Sequence, residues 1–280
     1  MVNLKINPQE LTHRPEQPVE TGSAASRIAK GVVIKGDIAA QTDIRIDGQM
    51  DGTLYSKGRI TVGESANLKG KMLCSNVDFL GRMDGDIYVR DVLSVKSTAV
   101  INGNITAKSG NALNIRSGSK VTVTGNLQNT GIKDKTHYPC IYATGRANCE
   151  IKGNVSSKGG GAVYAGGNTS ITITGNIIEK QFTPVHVYEY AQGRIVGDFD
   201  TSKKYCQIYL QNHAQVALEN TKELNWKGAF NGNPFFSDDS MTWFAEGDDT
   251  VLTLKNTDTM EEYKETRNMS ADERVPHHYQ

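Results

Sequence analysis

The feature that most restricts this chain is an internal repeat. The phrase IRIDGQMDGTL (44–54) returns as VDFLGRMDGDI (77–87), and ITVGESANLKGKM (60–72) returns as LSVKSTAVINGNI (93–105). Each pair is offset by 33 residues, which is two coils of about 16 to 18 residues. Within the blocks apolar residues alternate: Ile44, Ile46, Met50 and Leu54, then Ile60, Val62, Ala66, Leu68 and Met72. Val77, Phe79, Met83 and Ile87 repeat the arrangement, followed by Leu93, Val95, Ala99, Ile101 and Ile105. A period of two means short strands with one buried face. The Gly near each block end supplies a turn with positive φ. One coil cannot bury its apolar face, but stacked coils share a continuous core. The chain is therefore expected to be all-β, a right-handed parallel β-helix.

The repeat then widens. Four blocks of fifteen residues align: LNIRSGSKVTVTGNL (113–127), IYATGRANCEIKGNV (141–155), VYAGGNTSITITGNI (163–177) and VHVYEYAQGRIVGDF (185–199). A decayed fifth starts at Ile208. The starts are 28, 22, 22 and 23 residues apart, the first spacing holding an insertion around Lys133 to Pro139. Coils of about 22 residues have longer sides, so the solenoid is expected to broaden.

Composition agrees with a thin solenoid turning at every corner: Gly reaches 28 residues and hydrophobic content is only 37%. Of 20 aromatic residues, only Tyr55, Phe79 and Tyr88 precede residue 137. The expected organisation is a disordered N-terminal tail (1–26), a narrow β-helix (27–110), a wide-coil extension (111–225), an aromatic C-terminal cap (226–254) and a flexible tail (255–280). The cap is placed on Trp226, Phe230, Phe235, Phe236, Trp243 and Phe244, which do not fit the repeat. An open coil end needs covering, and a compact aromatic plug would cover it.

Lys plus Arg is 31 and Asp plus Glu is 31, so no phosphate-neutralising surface and no nucleic-acid partner are expected. No apolar stretch reaches the roughly 18 residues of a membrane-spanning helix. The polar, Pro-broken N-terminus does not read as a secretory signal. Cys74, Cys140, Cys149 and Cys206 form no CxxC pair, so reduced thiols in a cytoplasmic protein are expected, with no metal and no cofactor. Gly70-Lys71 is followed by Met72, and Ser65 stands where a phosphate loop would begin with Gly, so no nucleotide site is read there.

The phrases SRIAKGVVIKGDI, DIRIDGQMDGTL, VGESANLKG and LSVKSTAVINGNI resemble successive coils of a bactofilin, over residues 26 to about 108. The resemblance implies a bacterial cytoskeletal protein that polymerises without nucleotide by end-to-end stacking of β-helices. It also implies a short tail that reaches the membrane, and a scaffold that localises envelope enzymes. The wide coils depart from it. If their far end is blocked, open-ended polymerisation gives way to limited assembly, as in an adaptor that binds other bactofilin polymers.

Three sets of residues are candidates for function. Ile28, Val32, Ile34 and Ile38 form a first coil with no preceding cap, the kind of edge that pairs with another copy. Tyr142, Tyr164, His186 and Tyr209 occupy the second position of successive wide blocks, so they are expected to form an exposed ladder about 4.8 Å apart. That ladder is either a docking strip for a protein or glycan, or the ordinary stacking of aromatics across strands, the plainer reading. Val2, Leu4 and Ile6 alternate with polar residues around Lys5 and form a weak membrane contact that a polymer would multiply. His13-Arg14-Pro15-Glu16-Gln17-Pro18 reads as a short peptide for a groove. Asn104, Asn126, Asn154, Asn176 and Asp198 form a turn ladder expected to be structural.

Wide β-helices also host glycan-cleaving enzymes, which need paired carboxylates or bound calcium. Glu150, Glu179, Glu189, Asp198, Asp200 and Glu219 do not share one block position, so no catalytic set is read. The sequence thus points to a non-enzymatic scaffold, peripheral to the inner face of the cytoplasmic membrane, that associates with itself and with envelope partners. The alternatives are the capped adaptor and a glycan-binding or glycan-cleaving β-helix protein.

Overall fold

The computed structural model describes residues 26–116, 118–132, 135–202, 206–220, 226–230 and 241–267. These contain strands and turns and no helix. All 28 strands belong to one continuous hydrogen-bonded sheet. Every pairing is parallel except that of Thr250–Asn256 with Glu262–Arg267. The molecule is a parallel β-helix, as its repeat requires.

Each coil lays one strand on each of three faces. A wide coil shows this plainly with Leu113–Arg116, Lys120–Thr124 and Leu127–Asn129. On the first face the inward column runs Ile28, Ile46, Val62, Phe79, Val95, Ile115, Ala143, Ala165, Val187, Leu210 and Ala245. Every residue of that column is buried. The inward residues named from the period-two pattern, Ile44 through Ile105, are likewise buried without exception. A side chain such as Ile101, fully enclosed, contributes on the order of 2 kcal/mol by leaving water.

The corners set the width. Narrow coils cross from the third face to the next first face in few residues, as between Cys74 and Val77 or Val89 and Leu93. Wide coils use five, at 108–112, 158–162 and 180–184. The opposite corner is constant and stacks Gly on Gly. Gly125 has φ +152°, and a methyl group there would collide with the carbonyl oxygen of Gly103 in the coil before it. Only glycine permits both the backbone angle and the approach. Next to this corner the polar ladder is structural. Each side-chain oxygen accepts the backbone N–H of its counterpart one coil later: Asn104 from Asn126 (2.9 Å), Asn126 from Asn154 (2.8 Å), Asn154 from Asn176 (2.8 Å), Asn176 from Asp198 (3.0 Å).

The C-terminal segment corrects two expectations. Within the expected cap (226–254), the described residues after 240 stack on the preceding coil. Met241–Glu246 stacks on Ile208–Gln211 and Thr250–Asn256 on Gln215–Asn220, so the repeat continues for one more coil. Trp243 is fully buried in the common core. The continuation is masked in sequence because 35 residues, not 22, separate Ile208 from its partner Trp243. Trp226–Phe230 then pairs with the outer edge of Met241–Glu246. The expected flexible tail (255–280) contains a strand, Glu262–Arg267, antiparallel on Thr250–Asn256. Its side chains are mostly exposed, so no apolar period announces it; the backbone ladder holds it. Phe235 and Phe236, the side chain of Phe230, and the tail residues Val2, Leu4 and Ile6 lie outside the described residues.

Candidate functional site

Two features rise above the solenoid's regularity: an open first coil and an aromatic groove. At the first coil, Ile34 and Ile38 stand in the same inward columns as Met50 and Leu54. Met50 and Leu54 are 3% and 2% exposed, whereas Ile34 and Ile38 are only half-buried because no described coil lies above them. Val32 and Val33 beside them are 41% and 59% exposed. The coil is held down by a buried Asp47, which takes Arg27 at 3.0 Å and Arg45 at 2.8 Å. The Arg45 hydrogen bond keeps its carboxyl below the usual range despite burial. Ile28, Val32, Ile34 and Ile38 therefore lie together at one end of the solenoid. The far end differs: Leu252, Leu254 and Trp243 remain buried beneath the last strands.

On the first face of the wide coils, Tyr142, Tyr164, His186 and Tyr209 align in consecutive register. Tyr142 and Tyr164 stack at 5.4 Å with rings 5° from parallel. His186 meets Tyr164 edge-on at 4.6 Å and stacks on Tyr209 at 4.6 Å. The guanidinium of Arg116 lies 5.6 Å over Tyr142. Ring faces along the ladder are thus largely turned to neighbours.

The ladder is not the exposed strip that alternation suggests. Tyr209 is 7% exposed, and the other three are half-buried. They floor a groove of roughly 720 Å³ walled by His137, Tyr138 and Pro139 from the insertion and by Phe182 and Thr183 from a five-residue corner. His137 packs against Phe182 at 4.6 Å and bonds the Gly159 carbonyl through Nδ1 at 3.0 Å. The corner itself is fixed by the buried Glu179, whose carboxylate accepts the N–H groups of Gln181 (2.9 Å) and Phe182 (2.6 Å). Burial raises the Glu179 carboxyl above its ordinary range even with those bonds. Strand alternation reveals the floor, but the walls come from corner length and an insertion, which carry no period.

One end of the groove is polar. His186 Nε2 lies 2.7 Å from Gln211 Oε1, an acceptor only, so the ring nitrogen carries the proton. Gln211 Nε2 donates to Tyr209 Oη and to Glu246 Oε2, both at 2.9 Å. The Tyr209 hydroxyl also donates to Glu246. Burial pushes the His186 pKa below its usual value. Tyr188 joins the ladder from the side, 4.9 Å from Tyr164, its ring lying where a side chain on Gly166 would stand. Burial and the nearby tyrosines raise its hydroxyl pKa. Gln211, Glu246 and Tyr188 were not legible as partners of the ladder from spacing alone.

The remaining chemistry is dispersed. The six acids of the wide coils take separate partners, such as Lys152 for Glu150, Lys180 for Asp200 and Arg194 for Glu219. Among the described residues no three His, Cys, Asp or Glu side chains cluster as metal ligands. All four thiols are buried. Burial raises each thiol pKa, that of Cys74 to about 12.

Residues 26–130 match the family model Bactofilin, described as polymer-forming cytoskeletal. No curated protein and no solved structure gives a match. The matched segment includes the narrow coils and the first wide one, one coil more than the sequence phrases suggest. Residues 26–130 are thus similar to the bactofilin family, and the chain continues into a wide-coil extension that the match does not reach.

Proposed function

We propose that this chain is a non-enzymatic cytoskeletal scaffold that self-assembles without nucleotide by stacking β-helix ends, and recruits envelope-associated partners through its wide coils. The observation that carries this reading is the open first coil. Ile34 and Ile38 occupy core columns yet stay half-exposed, and the backbone of Ser26–Ile28 is paired on one side only among the described residues. A second copy presenting the same coil would complete both the sheet and the core. The chain acts in the cytoplasm, at the inner face of the membrane, with Val2, Leu4 and Ile6 as its membrane contact. Ile34→Asp and Val32→Asp test the stacking: sedimentation velocity of nucleotide-free protein is expected to show smaller species for the variants than for the wild type. Unchanged assembly would exclude this end.

A more limited adaptor is favoured by one observation. The outermost strands at the far end are Trp226–Phe230, parallel to Met241–Glu246, and Glu262–Arg267, whose antiparallel pairing interrupts the parallel ladder. A chain with one open end forms pairs, or ends the polymers of other bactofilins.

A further inference from the structure

An isologous contact through the first coils closes at two copies. With the far end covered by Trp226–Phe230 and Glu262–Arg267, growth beyond a pair needs a second contact, and the aromatic groove supplies a receptor for one. We infer that the groove receives the Pro15-Glu16-Gln17-Pro18 segment of a neighbouring copy lying alongside. This rests on the reading of the Tyr142–Tyr209 ladder as a docking surface, and names its occupant.

The occupant follows from shape and spacing. A Pro-x-x-Pro segment is pre-organised as a polyproline II helix and docks in aromatic-lined grooves. Three residues of that helix rise about 9 Å. Two coil steps on the groove floor span about 10 Å. Pro15 and Pro18 therefore match alternate rungs of the ladder, such as Tyr209 and Tyr164 respectively. The tyrosine rings that line the groove suit proline rings. They suit a sugar poorly, since the ring faces that would stack on it are already covered by their neighbours. Arg14, preceding Pro15, complements Glu246 at the polar end.

Reach decides which copy donates. Tyr142 lies six coil steps from the Ser26–Ile28 layer, about 29 Å along the axis. Seven residues lie between Pro18 and Ser26, eight steps that span at most about 29 Å when fully extended. A chain's own Pro18 reaches no farther than the Tyr142 rung, one step short of Tyr164, so its two prolines cannot occupy Tyr164 and Tyr209. A partner joined through the first coils begins still farther away. A copy lying alongside meets neither limit.

The test uses the full chain carrying Pro15→Ala/Pro18→Ala, so that its own tail does not compete, and a fluorescein-labelled peptide of residues 10–22. Fluorescence anisotropy is expected to show saturable binding, weakened at least tenfold by the same two substitutions in the peptide. Phe182→Ala and His137→Ala, both on the walls, are expected to weaken it likewise, with circular dichroism verifying the fold. Equal binding of the substituted peptide, or saturation by a chito-oligosaccharide and not by the peptide, would overturn the inference. A photo-crosslinker at position 17 of the wild type is expected to join two chains at the groove. Crosslinks found only within one chain would overturn the role of the neighbour. End stacking is read separately: if Ile34→Asp leaves assembly intact while the peptide still binds, stacking fails and the groove stands.

Discussion

The narrow and wide coils share one inner grammar and differ at one corner. In both, the inward columns are aliphatic and the glycine corner repeats, so the core runs through the boundary without a break. Where the other corner takes two or three residues, the outer surface is shallow. There Tyr55, Leu73 and Tyr88 align on an open third face beside Lys57, Arg90 and Lys108. Where it takes five residues, the corner stands proud of the first face and turns an aromatic ladder into the floor of a groove. Corner length, which leaves the core columns unchanged, adds a recess to the coil.

The strongest way to break this comparison is at the shared glycine corner. Gly153→Val places a side chain at φ +158° and against the Gly125 backbone. Strain of about 1–3 kcal/mol is compounded by the clash. Because solenoid repeats depend on their neighbours, the wide coils are expected to open first. Limited proteolysis is expected to leave a protected fragment ending near residue 130. Uniform loss of the whole chain would show that the two regions fold as one cooperative unit.

The turn ladder gives a smaller effect. Asn154→Ala removes the acceptor of the Asn176 N–H at an exposed corner, where water replaces it in part. The expected loss is about 1 kcal/mol by thermal or urea unfolding. Asp86→Ala, which removes the acceptor of the Asn104 N–H, is expected to cost a similar amount, since the corner is common to both regions.

The smallest effect sharpens the difference between the regions, since among the described residues only the wide coils hold histidines. His186 has its pKa depressed by burial, so the unfolded chain takes up the proton first as pH falls. Stability is full above about pH 6.5 and declines below it. His186→Gln is expected to remove that part of the decline in melting temperature between pH 7.5 and 5.5. An identical pH profile would place His186 in contact with solvent.

The sequence resolved what period two encodes. Ile44 through Ile105 are inward, and Tyr142, Tyr164, His186 and Tyr209 share one column. Features without a period escaped it. Trp243 joined the core from an unexpected spacing, because residues between Trp226 and Met241 displace its coil by 13 positions. Phe182 and His137 became groove walls through a corner and an insertion whose lengths, not patterns, place them. Glu262–Arg267 forms a strand on a backbone ladder, which side-chain hydropathy does not report.

The central claim is that copies meet through the first coil while the opposite end stays closed. Negative-stain microscopy of nucleotide-free full-length protein, carrying a gold label at its C-terminus, tests it most directly. The account predicts rods joined at unlabelled ends, with gold at the outer ends of each pair and lateral bundles that disperse in Pro15→Ala/Pro18→Ala. Gold at the junctions between rods, or single unpaired rods throughout, would contradict it.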